Sequence, residues 1–321
     1  MDFLLFEVSP VASNFLLLVC VIFLKWAMTF IANTDVFAFF RFYCQQLALK
    51  VNKTSNSQNQ QVIAGWLAML INYSTLFVIV WLFEAFIEVV WLWHALLLYI
   101  SLENLQLAMK GKLIAQDLVA NKKYEAKQKI SPYLLRDSEQ LSTMGICKSF
   151  IEMQLLRVNQ HIVCVSFYFL LLGPYAAFSF RLLLEMHHVW NSKQPRFNYF
   201  GKPVALICNL LQWLPSRLSS IFLLLLSVNK NLALYWRLVR KNFFNLNNNL
   251  LIHSFALVNE IRLGGVCMYQ GEKVRRVSFN DQAKQPAPSD IIHASSYLNR
   301  YLAGLFIITA TIVTVIYIMA L

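Results

Sequence analysis

Four polar clusters interrupt an otherwise apolar chain, and each carries side chains suited to holding an anion. The first is Arg136-Asp137-Ser138-Glu139. The second places Glu152, Arg157, Asn159 and His161 at the entrance of an apolar run. The third is Arg262-Leu263-Gly264-Gly265, followed by Tyr269 and Gly271. The fourth lies in "LLQWLPSRLSSIFLLLLS" (210–227), where Pro215 and Arg217 follow Trp213 directly before a run of leucines. Adjacent glycines let backbone N–H groups approach an anion closely, and most such pairs are turns. An arginine at the mouth of an apolar helix snorkels toward phosphate or pairs with a buried acid. The candidate ligand- or anion-binding residues are therefore Arg136, Asp137, Glu152, Asn159, Arg217, Arg262, Gly264 and Gly265. No catalytic residue is assigned.

Other chemistries have no signature here. There is no Walker A loop, HExxH helix or GxSxG elbow. The six cysteines are never closer than 17 positions, so no zinc spacing or CxxC occurs. His187 and His188 point about 100° apart on a helix and read as interfacial residues rather than a ligand pair. No metal and no cofactor is expected. The basic residues are dispersed without a recognition motif, so nucleic acid is not an expected partner.

The elements that must position these clusters are membrane helices. Of the 321 residues, 58% are hydrophobic and the net charge is +12; mean hydropathy is +0.52. The predicted fold is all-α, a polytopic membrane bundle of about four to six spans forming a single domain over 1–321. Apolar runs long enough to cross occur at about 14–32, 62–82, 86–103, 161–181 and 302–320, with an interrupted sixth at 204–228. With six crossings, the connections 33–61, 103–160 and 229–301 hold 22 of the 28 Lys/Arg, while Lys193, Arg196 and Lys202 lie opposite. The positive-inside rule then puts the large connections, 103–160 and 229–301, in the cytoplasm and both termini outside. This excess also fits contact with anionic lipid. The N-terminus carries two acids and no base, so the first run is expected to be a retained anchor.

Within those connections, 103–130 carries mixed charge at helical spacing and reads as a helix continuing from the third span. Ser131 before Pro132 marks a helix start, and Asp137 with Gln140 a capping box for a helix from about 138. Glu84 and Glu88 mark a tight turn between spans two and three. The stretch 229–301 reads as a loose lobe. Pro215 is expected at the first turn of a helix, where it needs no N–H partner.

In order and spacing, "SPYLLRDSEQLS", "FYFLLLGPYAAFSFRLL", "QWLPSRLSSIFLLLLS", "RLGGVCMYQGE" and "IIHASSYLNRYLAGLFIITATIVTVIY" resemble the AmpE/CobD (CbiB) membrane proteins over most of 130–320. The resemblance implies one of two functions. The CobD branch is an adenosylcobinamide-phosphate synthase, which joins an aminopropanol unit to adenosylcobyric acid using ATP. The AmpE branch is an inner-membrane modulator of β-lactamase induction during cell-wall recycling. The synthase pattern "E-N-T-x-D" falls here on Leu156-Arg157-Val158-Asn159-Gln160, which removes both acids and adds a cation. Its "S-P-N-A-G" falls on Asn245-Leu246-Asn247-Asn248-Asn249, and its Asp-Ser pair has no counterpart near Leu184–His188. Losing hard oxygen ligands for Mg²⁺ argues against ATP chemistry. The expectation is thus an AmpE-like, non-enzymatic modulator in the bacterial inner membrane. Its expected partners are membrane lipids, a cytoplasmic anionic ligand or nucleotide, and cell-wall-recycling proteins. The alternatives are a diverged synthase and a generic transporter or receptor.

Overall fold

The structure is a computed structural model that describes residues 10–28, 35–53, 55–103, 106–134, 138–227, 232–269 and 272–320. It is mostly helical. α1 (Pro10–Met28), α2 (Ala38–Val51), α3 (Gln58–Phe83) and α4 (Val90–Ser101) come first. α5 (Leu107–Val119), α6 (Lys123–Ile130), α7 (Thr143–Val158), α8 (Cys164–Leu172) and α9 (Pro174–Val189) follow. Then come α10 (Lys202–Leu225), α11 (Leu232–Val239), α12 (Asn249–Val258), strands β1 (Leu263–Tyr269) and β2 (Glu272–Phe279), and α13 (Pro288–Ala320).

Among the described residues three helical stretches are long and apolar enough to cross a membrane: Gln58–Phe86, Thr143–Leu172 and Pro288–Met319. Shorter apolar helices cover Ala12–Met28, Val90–Ser101 and Asn249–Val258. Glu84–Phe86 forms a single 3-10 turn between α3 and α4, as the paired acids predict.

Three expectations about the helices need correction. The run 161–181 is two helices. Gly173 has φ +85°, a left-handed value that ends α8, and Pro174 starts α9 at a position needing no N–H partner. α9 then folds back on α8, stacking Phe180 on Tyr168 with ring centroids 5.3 Å apart. As a result the 190–201 loop returns beside residues 44–65. Trp190 Nε1 donates to the Cys44 carbonyl (3.0 Å) and Asn52 Nδ2 to the Arg196 carbonyl (2.9 Å). A Cβ on Gly65 would sit 2.1 Å from the Phe200 carbonyl oxygen. Lys193, Arg196 and Lys202 therefore share an end of the molecule with the 33–61 connection.

Second, Pro215 lies inside α10 rather than at its start. A proline there cannot donate to the carbonyl four residues earlier, that of Leu211. Tyr168 Oη supplies the missing donor at 2.7 Å. α10 is amphipathic: Leu206, Leu210, Leu214 and Leu218 are exposed at four-residue spacing, while Cys208, Gln212, Ser216 and Ser219 are buried.

Third, 103–130 is two helices, and α7 is capped by Ser142, whose hydroxyl accepts from the Gly145 N–H at 3.1 Å. Asp137 lies outside the described residues.

The stretch expected to be a loose lobe is ordered and adds a β-hairpin to an otherwise helical chain. β1 and β2 pair antiparallel from Leu263↔Phe279 to Tyr269↔Glu272, with an irregularity between Gly264 and Val266. Ile114, Ile130, Phe150, Phe255, Leu263, Ile291 and Leu298 share one core. A second core joins α2, α3, α9 and α10, and a third joins α1, α4, α8 and α9. α13 serves both halves of the molecule. Its first turns are buried in the lobe, and Ile307, Ile312 and Ile318 beyond are exposed.

Candidate functional site

Between the lobe and the helical bundle lies an open cavity of about 1290 Å³. Its walls come from the ends of α1 and α4, from α2, α7 and α9, the 190–197 loop, residues 247–249 and β2. Among the described residues nine Lys/Arg and four Asp/Glu line it.

Its inner wall is a charge network built on the break after α7. Asn159–Val163 form one π-helical turn, a feature that shifts side-chain facing by a fraction of a turn. Glu103, at the end of α4, meets Arg157 Nη1 at 2.8 Å, His161 Nδ1 at 3.2 Å and Arg181 Nη1 at 3.5 Å. Arg181 also pairs with Glu185 one turn along α9 (2.7 Å), and Glu185 pairs with Arg41 of α2 (2.9 Å). Arg181 Nη1 contacts His161 Nδ1 directly. An arginine only donates, so His161 accepts there and its ring proton belongs on Nε2. The guanidinium of Arg181 also lies 5.0 Å from the Phe37 ring centroid. On the other wall, Lys25 Nζ donates to the carbonyls of Tyr99 and Leu102 at 2.6 and 2.7 Å.

Of the eight candidate residues, Arg136 and Asp137 lie outside the described residues. Glu152 lines the cavity. Its carboxylate accepts from the Gly264 N–H at 2.8 Å and from Arg276 Nη2 at 2.9 Å. The glycine pair thus does bind an anion through backbone N–H, and that anion is the chain's own carboxylate. Gly264 has φ +75°, and a Cβ there would lie 2.2 Å from the Val277 carbonyl oxygen. Gly265 sits at the irregularity with φ +95°.

The expected convergence on a single ligand is not what the geometry gives. Arg262 pairs with Asp281 at 3.0 Å and donates to Ser278 Oγ at 3.1 Å. Asn159 clamps two helices. Its Nδ2 donates to Ser216 Oγ and its Oδ1 accepts from Ser219 Oγ, both at 2.9 Å. Arg217 is 2% exposed. It donates to the carbonyls of Phe243 (2.8 Å), Asn247 (3.3 Å), Asn242 (3.4 Å) and Asn245. It therefore holds the asparagine-rich segment whose residues Asn247–Asn249 line the cavity.

Sequence reading missed most of the wall. Glu103, Glu185 and Arg41 gave no signal beyond being charges beside apolar runs. His187 and His188, expected at an interface, both line the cavity, and His188 lies 5.3 Å from His161 between ring centroids.

The carboxylates do not fit a divalent cation. Glu103, Glu152 and Glu185 are each engaged by arginine. Among the described residues no group of three or more His, Cys, Asp or Glu is placed to hold a metal ion.

The family model described as CobD/Cbib protein matches residues 36–298. The chain belongs to the CobD/CbiB family. Its relatives include the cobalamin biosynthesis protein CobD of Stutzerimonas stutzeri, 26% identical over 214 residues, covering 67% of this chain and 70% of the relative. That of Chromobacterium violaceum is 26% identical over 64% of this chain and 65% of the relative. That of Leptospira interrogans serovar copenhageni is 26% identical over 72% of this chain and 76% of the relative. No solved structure matches. These relatives are named for cobalamin biosynthesis, which overturns the expectation of an AmpE-like modulator of β-lactamase induction and of a signalling role.

Proposed function

We propose that this chain is a diverged adenosylcobinamide-phosphate synthase of cobalamin biosynthesis, with the charged cavity as its substrate site. One observation carries the reading. The synthase's acidic pattern and its "S-P-N-A-G" fall on 156–160 and 245–249, and 184–188 is the stretch near which its Asp-Ser pair would stand, without a counterpart here. Leu156, Arg157 and Gln160, then Glu185, His187 and His188, then Asn247, Asn248 and Asn249, all line one cavity. Far apart in sequence, they meet where a substrate would sit.

Joining an amine to a carboxylate requires activation of the carboxylate and attack by the neutral amine. Negative charge builds on the activated centre and on the departing group. Arg157 and Arg181 are fixed by their ion pairs before any ligand arrives, so they would stabilise that charge with little reorganisation. The imidazoles of His161 and His188 are the cavity's candidates for moving the amine proton. Expression in a synthase-deficient bacterium supplied with cobyric acid tests this. Growth supports the assignment, and failure with stably expressed protein rejects it.

The same reading makes the protein polytopic in the bacterial inner membrane. α1, α3, α4, α8, α9 and α13 would cross, with α10 lying along the interface on its leucine stripe. Supporting this, the sequence around the turns at Glu84 and Gly173 carries no Lys or Arg. Those turns meet, since Tyr175 Oη donates to Glu84 and accepts from Trp93 Nε1 at 3.1 Å. The basic end, cavity included, would face the cytoplasm.

A further inference from the structure

We infer that the cavity takes its phosphate-bearing ligand as the free anion, with arginines supplying the charge neutralisation that a divalent cation would otherwise provide. The inference rests on the reading of this cavity as the substrate site. Three independent features support it.

The first is the excess of cations. Among the described residues nine Lys/Arg face four Asp/Glu around one cavity, and all four acids are held by arginine. Arg196 and Arg275 line the same cavity, are exposed, and form no ion pair among the described residues. The second is unspent donor capacity in the inner wall. The Arg181 and His161 side chains are 7% and 2% exposed. Yet Arg181 Nε and His161 Nε2 have no hydrogen-bond partner among the described residues. Buried donors left unmade are costly, and an incoming oxyanion would satisfy them. The third is the substitution itself. Where the synthase pattern has its acids, this chain has Leu156-Arg157-Val158-Asn159-Gln160. A carboxylate there would present a metal, and the metal would present the phosphate. Arg157 presents a planar fork to the phosphate directly.

Detergent-purified full-length protein would be titrated with ATP and with pyrophosphate, in EDTA and in excess Mg²⁺. Binding in EDTA within about twofold of that in Mg²⁺ is expected. Arg157→Gln and Arg275→Gln should each weaken it about tenfold, the scale of one charge-assisted contact. Lys122→Gln, at an exposed position just before α6 and not among the cavity's lining residues, should leave it unchanged. Because Arg157 is also a structural ion-pair partner, the exposed Arg275 keeps the test valid if Arg157→Gln misfolds. Repeating the titration in nanodiscs of neutral and of anionic lipid separates two sources of the phosphate. Loss of ATP binding only in anionic lipid, restored by neutral lipid, identifies a headgroup as occupant of the same arginine site. Strictly Mg²⁺-dependent binding, no binding of either probe, or wild-type affinity in both arginine variants would overturn the inference. Complementation reads a different property. Metal-free binding without complementation sinks the synthase assignment alone, and complementation with Mg²⁺-dependent binding sinks the inference alone.

Discussion

Gly264 and Asn159 illustrate how a polar residue beside an apolar run can serve the scaffold rather than a ligand. Replacing Gly264 by alanine would put a Cβ 2.2 Å from a backbone carbonyl at φ +75° and displace the N–H that Glu152 uses. A loss of roughly 3 kcal/mol is expected, against little change for Gly265→Ala beyond its own backbone strain, since nothing lies within 4 Å of that Cβ. Thermal melts of the two variants compare them directly. Asn159→Ala orphans Ser216 and Ser219 inside a helix interface and should cost about 1–3 kcal/mol. His253 gives a pH dependence. It is buried against Phe279, and burial, with Lys241 adding to it, lowers its pKa to about 4. The unfolded chain takes up the proton near pH 6.5 and the folded chain resists it down to about 4. Stability should therefore fall as pH drops through that window, by at most about 1.4 kcal/mol per unit. In His253→Phe the melting temperature should decline less steeply between pH 7 and 5, and an unchanged slope would remove His253 as the cause.

At the scale of elements, the sequence showed where helices begin and end better than which way they turn. The 161–181 run has a span's hydropathy, and only the Gly173-Pro174 pair in its middle signals the reversal. Read as punctuation, that dipeptide divides the run into α8 and α9. Pro215 misled in the opposite sense. Its lost hydrogen bond is compensated from a distant residue, Tyr168, so α10 continues through it. That compensation is testable. Tyr168→Phe should leave the Leu211 carbonyl without its donor and destabilise the protein by about 1–2 kcal/mol, whereas in a Pro215→Ala background the restored backbone N–H should make the same change nearly silent. Equal effects in both backgrounds would contradict the coupling. The β-hairpin was invisible because "RLGGVCMYQGEKVRRVSF" alternates imperfectly, and its register depends on Glu152, 112 residues before Gly264.

Across the whole molecule, the fold sorts the polar clusters by partner, which reading them one at a time could not show. Arg217, Arg262 and Gly264 hold segments in place, while the cavity wall is completed by Glu103, Arg181 and Glu185, which look unremarkable as residues. The segments on which the synthase's chemical motifs would fall differ from them in residue type, and position alone ties them to the cavity. Charge bias bears on the proposed membrane arrangement. With the 190–201 loop and Lys202 at the end that carries the large connections, 25 of the 28 Lys/Arg fall in or beside those connections by sequence, and the proposed topology makes Gly173 an external turn. Of the six cysteines only Cys20 is exposed. In a Cys20→Ser background, an impermeant thiol reagent applied to intact cells should label Leu172→Cys and spare Lys193→Cys. The reverse would invert the proposed topology.

The central claim is that the charged cavity performs the synthase reaction, and complementation tests it most directly. A synthase-deficient strain grown on cobyric acid should be rescued by the wild-type chain. Rescue should fail, at equal expression, for Glu185→Gln and Arg157→Gln, and persist for Lys122→Gln. No rescue by the wild-type protein, or full rescue by both cavity variants, would contradict the account.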